Sequence, residues 1–235
     1  YSKSGQTGSI FKPVYLDTYD DARHVSDKPL DILRGLPLIF GFDYGLTPCC
    51  SVSQIAPDGQ WRVLREWICT RGGIRQFVED TLRPNLNNDF PNMTIQSFGD
   101  PAGAVGSQHD IEVSAEGELT KLGFPTSSRG ISQDFTMRRE AVINYLTRTA
   151  GSLSKPAFIL DPSCEMLRKG FNGGYQFSLV QTSGDERFKE MPLKNEFSHI
   201  HDSLQYAMLG TLKPTILDEQ RHSAITQRSS WGALV

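Results

Sequence analysis

Cysteine is scarce in this chain. Its four residues, Cys49, Cys50, Cys69 and Cys164, contain no C-x-x-C pair. That argues against a cysteine-rich zinc module and a disulfide framework, and reduced cysteines in an intracellular protein are expected. Long apolar runs are missing too. No stretch approaches the roughly 18 residues needed to cross a bilayer, so no membrane span is expected. Neither sign of charge dominates: 24 Lys and Arg against 27 Asp and Glu leave −3 and a pI near 6.0. No global positive field advertises nucleic acid, although basic patches can hide in a neutral total. No GxxxxGK[ST] run occurs, so ATP hydrolysis is not expected. Neither a repeat nor a low-complexity block interrupts the 235 residues, which suit one large domain. The opening Tyr1-Ser2-Lys3-Ser4-Gly5 has no initiator Met and no signal-peptide shape. The expectation is a start inside a longer chain.

What is present begins with Leu38-Ile39-Phe40-Gly41-Phe42-Asp43-Tyr44-Gly45. An apolar run of this kind reads as a buried strand. It ends in a carboxylate, which is costly there unless something pairs with it. A hard divalent cation is one partner, and Gly45 would let the backbone turn close to it. An aspartate opening a turn before Thr47-Pro48 is the plain alternative.

Residues 1–37, broken by Gly5, Gly8, Pro13, Pro29 and Pro37, read as a connecting segment with a short strand somewhere in 10–16. Strands follow at 38–43, 50–55 and 61–67, with the turn Ala56-Pro57-Asp58-Gly59-Gln60 between the last two. In the third, Trp61, Val63 and more loosely Trp67 share a face. Ile74, Phe77, Val78, Leu82 and Leu86 recur at helical spacing. A strand over 94–99 then delivers Asp100, again a carboxylate at a strand end with a glycine, Gly103, behind it. A short helix is expected over 114–122. A longer one is expected over 134–148, with Phe135, Val142, Ile143 and Leu146 as its stripe. A strand over 157–160 ends at Asp161-Pro162, a short helix covers 164–169, and 171–190 reads as a hairpin. A last helix spans 196–209, and 214–235 reads as a mobile tail. Three opening strands, a helix, a strand, then further helices and strands describe an α/β sheet with an antiparallel meander at one side.

Asp43, Asp100 and Asp202 form the candidate catalytic set: two strand ends and one helix residue. Clustered carboxylates repel one another, and divalent cations remove that repulsion while activating water toward a phosphodiester. Magnesium fits this chemistry, and manganese should substitute.

Three segments then carry a resemblance: Gly41-Phe42-Asp43-Tyr44-Gly45, Phe98-Gly99-Asp100-Pro101-Ala102-Gly103, and the run Lys194-Asn195-Glu196-Phe197-Ser198-His199-Ile200-His201-Asp202-Ser203-Leu204-Gln205-Tyr206-Ala207. In this order they resemble the nuclease domain of the terminase large subunit of tailed double-stranded DNA bacteriophages. Even 8–28, with Val14-Tyr15 and His24-Val25, is similar to that family's connector between motor and nuclease. The resemblance implies an RNase H-like mixed sheet flanked by helices, a meander of three antiparallel strands plus parallel ones. It implies residues 1–37 as the connector from an absent ATPase motor, 38–213 as the nuclease and 214–235 as a tail. It implies a two-metal endonuclease, using two Mg²⁺ or Mn²⁺ ions, that cuts concatemeric viral double-stranded DNA during packaging with little sequence preference. The implied partners are DNA, the portal protein and the small terminase subunit. The implied setting is the host cytoplasm, and the isolated domain is expected to be a monomer. Ser203 stands where alanine is common and Gln205 where arginine is common, which puts a basic group at 205 in doubt.

Other residues are weighed against plain structural roles. His199 shares a helix face with Asp202, so it is a candidate near the metal. Asp110 and Glu112, in the loop after Asp100, are candidates at a second ion. Glu196 suits the helix start, His201 points elsewhere, and Asp161 reads as a turn before Pro162. Phosphate contacts require cations, and Arg129, Arg138, Arg139, Arg168, Lys169 and Lys194 are the candidates. At least one of Arg138 and Arg139 should face solvent. Tyr175 and Phe177 suit either core or a DNA-facing flap. A rival reading is a phosphotransferase of the actin or sugar-kinase type, since residues 41–47 resemble its first phosphate loop, but no second Asp-Gly-Gly loop follows. A docking module for portal or small terminase is the non-enzymatic reading.

Overall fold

A computed structural model describes residues 11–45, 47–104, 114–151, 155–180 and 187–212. The expected tail, Asp110 and Glu112 lie outside them. Strand β1 (Phe11–Pro13) and one helical turn, α1 (Asp21–His24), come first. The meander follows as β2 (Leu38–Asp43), β3 (Cys49–Ile55) and β4 (Trp61–Ile68). Next is a helical stretch: α2 (Ile74–Phe77), a π-helical turn (Val78–Leu82) and α3 (Arg83–Asp89). Pro84 explains the wide turn, because it has no N–H to give to the carbonyl four residues back. Then come β5 (Ile95–Gly99), α4 (Ala115–Lys121) and α5 (Phe135–Thr147). Two short strands, β6 (Thr149–Ala150) and β7 (Lys155–Pro156), lead to β8 (Phe158–Leu160) and α6 (Glu165–Lys169). The chain closes with β9 (Gln176–Val180), β10 (Arg187–Phe188) and α7 (Ser198–Leu212).

The main sheet has the order β5-β2-β3-β4-β8. Strands β2, β3 and β4 form the antiparallel meander, β5 runs parallel to β2, and β8 runs parallel to β4. Strands β2, β5 and β8 therefore end on one edge. Alternation inside the all-apolar β2 divides the core. Leu38, Phe40 and Phe42 enter one layer with Phe77, Val78 and Leu82, while Ile39 faces the layer that holds α5 and α7. Helix α7 is buried nearly all round. It crosses β2 so closely that a side chain at Gly41 would collide with the carbonyl of Ser203.

One local expectation is corrected. The register of β3 and β4 shifts between Val52 and Ser53. Beyond this bulge the faces exchange, so Trp67 packs in the opposite layer from Trp61 and Val63. The short strand expected within 10–16 is present, and residues 11–25 pack against the rest of the fold. Strand β1 pairs antiparallel with β9, with Phe11 opposite Ser178, and Val14, Tyr15 and Tyr19 are core residues. The hairpin expected in 171–190 is present as β9 and β10. Among the described residues, no helix is long and apolar enough to cross a membrane.

Candidate active site

The parallel register of β2 and β5 places Phe42 beside Gly99. The next residue of each strand is an aspartate, so Asp43 and Asp100 leave adjacent strand ends side by side. Asp43 is nearly buried. Its Oδ2 lies 2.6 Å from Nδ1 of His199, in the first turn of α7. That bond, working against burial, raises the His199 pKa above its usual value. Gly45 serves this pair: a Cβ there would stand 3.1 Å from His199 Cε1. The bare Cα of Gly45 therefore leaves room for the His199 imidazole. Asp100 is half-buried and accepts through Oδ1 from the backbone N–H of Ala102 (2.9 Å) and from Nε2 of Gln133 (3.3 Å).

Asp202 is held differently. Its Oδ1 accepts from Arg138 Nη1 (3.1 Å) and the Tyr175 hydroxyl (3.0 Å), and its Oδ2 from Lys194 Nζ (2.6 Å). Burial works against the Arg138 charge, but Asp202, with Tyr206 and Tyr175, more than offsets it, and its pKa is raised. Burial, followed by Asp202, pushes the Tyr175 phenol well up, which keeps it a donor. The same Arg138 Nη1 reaches Gln205 Oε1 (3.0 Å), and Gln205 Nε2 donates to the Tyr15 hydroxyl (3.0 Å). One guanidinium nitrogen from α5 thus bridges Asp202 and Gln205.

This corrects the expectation for Arg138, which is buried and cannot meet a phosphate. The signal was in the stripe: 135, 138, 142 and 146 share one face of α5, and Arg138 is its polar member. Arg139 is half-buried, with Nε and Nη2 both donating to the Val14 carbonyl at 3.2 Å. Arg168 and Lys169 pair with Asp21 and Glu165. Arg129 is exposed, and Lys194 is exposed although paired with Asp202. Helix α7 starts at Ser198, so Glu196 precedes it. His201 stacks on Tyr175 and lies 3.2 Å from the Leu167 carbonyl. Burial drives its pKa to about 3, so it is a neutral core residue as expected. Phe177 packs on Phe135, and Tyr175 is core. Asp161 keeps its turn role: Oδ2 accepts from Leu30 N (2.7 Å), and Oδ1 from Ser163 N (2.9 Å) and Ser163 Oγ (2.6 Å).

The donors suit a hard cation in kind. Oδ1 of Asp43 and Oδ2 of Asp100 accept no hydrogen bond among the described residues. Carboxylate oxygens on adjacent strand ends are what Mg²⁺ or Mn²⁺ takes. Asp202 is the exception in arrangement, because both of its oxygens already face cations of the chain. Accordingly, no three His, Cys, Asp or Glu side chains converge as a metal cluster among the described residues. A cavity of about 330 Å³ opens beside His199 and Lys194, the partners of Asp43 and Asp202. Lys194, Asn195, His199, Thr47 and Thr70 are among the residues that line it.

No protein-family model and no curated protein matches the chain by sequence. Solved structures do resemble it. The nuclease domain of the P22 large terminase aligns over 85% of this chain and 92% of its own, with a TM-score of 0.59 at 11% identity. The large terminase nuclease of thermophilic phage G20c, solved with bound cobalt, aligns over 83% of this chain and 96% of its own, with a TM-score of 0.51 at 13% identity. The large terminase of a second thermophilic bacteriophage gives a TM-score of 0.60 at 15% identity over 87% of this chain. That match spans only 46% of the longer terminase. The fold is therefore that of large-terminase nuclease domains, an RNase H-like mixed sheet flanked by helices.

Proposed function

We propose that the chain is a metal-dependent endonuclease that cuts viral double-stranded DNA during genome packaging, as the nuclease part of a large terminase. The observation that carries this reading is the pair Asp43 and Asp100, ending adjacent parallel strands on a sheet shared with the P22 and G20c nuclease domains. The cobalt of the G20c structure supports a divalent cation. Asp43 and Asp100 would hold it, and Asp202 would complete the set. When bound, such a cation supplies an activated water and stabilises the leaving oxygen. The chain's own residues do the rest. His199 fixes the Asp43 carboxylate, Arg138 and Tyr175 fix Asp202, and Lys194 and Arg129 offer exposed positive charge to phosphates without reading bases. The portal protein, the small terminase subunit and the host cytoplasm belong to the same proposal.

Incubation with supercoiled plasmid and Mn²⁺ or Mg²⁺ should nick and then linearise the DNA with little sequence preference. Intact plasmid at high protein and metal concentration would rule the activity out for this chain. Raising salt should weaken DNA binding steeply, since phosphate contacts dominate.

A further inference from the structure

The three candidate carboxylates are not equally open. Arg138 is sealed in: its side chain is 5% exposed, it lies over the Tyr206 ring at 4.7 Å, and Gln205 shares its Nη1. Lys194 contrasts with it. It reaches Oδ2 of Asp202 from the stretch before α7, with its own side chain 67% exposed while that of Asp202 is 5% exposed. An ammonium that regains water on leaving is weakly held, so Lys194 is an exchangeable stopper on a buried carboxylate. Arg138 is a fixed one.

The Lys194 side chain also lines the cavity that His199 lines. His199 in turn touches Asp43. Lys194 and His199 thus connect Asp202 and Asp43 to the rim of one cavity.

We infer that Lys194 and a divalent cation compete for Oδ2 of Asp202, so that metal loading and DNA engagement reinforce each other. This rests on the nuclease reading above. With Lys194 on Asp202, the last carboxylate is neutralised and the site is incomplete. A DNA phosphate that draws Lys194 away uncovers Oδ2, and an occupied Oδ2 leaves Lys194 free for phosphate. The coupling is reciprocal, as linkage demands.

The test titrates Mn²⁺ by electron paramagnetic resonance, with and without a nuclease-resistant phosphorothioate duplex. Lys194→Gln should bind Mn²⁺ without DNA roughly three- to tenfold more tightly than wild type, the range set by the modest worth of an exposed partner. The duplex should tighten Mn²⁺ binding in wild type and do so much less in Lys194→Gln. Lys194→Arg, which keeps the charge, should follow wild type. Equal or weaker Mn²⁺ binding by Lys194→Gln, an undiminished DNA effect, or Lys194→Arg behaving like Lys194→Gln would overturn the inference. If wild type nicks plasmid while one of these results appears, the nuclease reading stands and the coupling falls. If wild type neither binds Mn²⁺ nor nicks DNA, both fall.

Discussion

Asp43 and Asp161 both close apolar strands, and both leave the same edge of the same sheet. Three strand spacings separate β2 from β8, roughly 14 Å. Asp161 is saturated: Leu30, Ser163 and, at 3.6 Å, Arg65 satisfy its carboxylate from within the chain. Asp43 and its neighbour Asp100 each keep one oxygen without a donor among the described residues. A buried carboxylate filled by fixed backbone and side-chain donors anchors the fold. One left part-filled beside another carboxylate is poised for an outside cation. Position at a strand end does not separate the two roles, whereas the donor inventory does.

The widest separation should come from asparagine substitutions. Asp43→Asn should lower plasmid cutting by about a thousandfold with little change in thermal midpoint, on the scale of losing one group that acts on developing charge. Asp161→Asn, assayed below its own melting temperature, should cut within about twofold of wild type, because its carboxylate is already filled from within the chain. Equal losses in the two variants would erase the distinction.

Stability should show the reverse order. Asp161→Ala strands the Leu30 and Ser163 donors and Arg65, and should cost about 2–4 kcal/mol in urea unfolding. A cost below about 0.5 kcal/mol, the range of surface changes, would mean that Asp161 is not the anchor described.

Gly45→Ala probes the open end with a smaller effect. The added methyl would press on the His199 ring, which must give by a few tenths of an ångström. Cutting should fall by about tenfold with folding retained, a misplacement effect rather than loss of a ligand. Unchanged kinetics would show that the His199–Asp43 contact is dispensable.

The smallest effect is one of pH, on the anchored side. His24 packs there, with Nε2 3.0 Å from the Leu146 carbonyl, and Val25 bridges to Leu160. Burial lowers its pKa below 6.5, so the fold holds it neutral. The unfolded chain takes up the proton first as pH falls. Stability from this group is complete above 6.5 and declines as pH drops toward the lowered folded value, by at most about 1.4 kcal/mol per pH unit. His24→Gln should flatten the slope in urea titrations between pH 6.5 and 5, and an unaltered slope would remove His24 from the account.

Much of this was legible because it is local. Period-two alternation, turn residues and a carboxylate after an apolar run marked Asp43 and Asp100, and helical spacing marked α5 and α7. What escaped depends on partners distant in sequence. Gln205 meets Tyr15 across 190 residues, and Arg138 meets Asp202 across 64. The bulge that turns Trp67 over is a property of two strands, since its signal is a register and not a residue. The stripe of α5 contains Arg138, but an arginine among apolar positions reads as a surface charge when its buried partner is distant in sequence.

The strand at Phe11–Pro13 has a practical consequence for anyone preparing this protein. The hydrophobic pattern invites a start at Leu38, where the sheet begins. Such a fragment would lose the edge partner of β9 and the Val14, Tyr15 and Tyr19 side chains. It would also lose the hydroxyl that Gln205 binds beneath Asp202, and the Leu30 amide that Asp161 needs. The cloning boundary belongs before Phe11, and a shortened fragment found insoluble or inactive would say nothing about the chemistry of the aspartates.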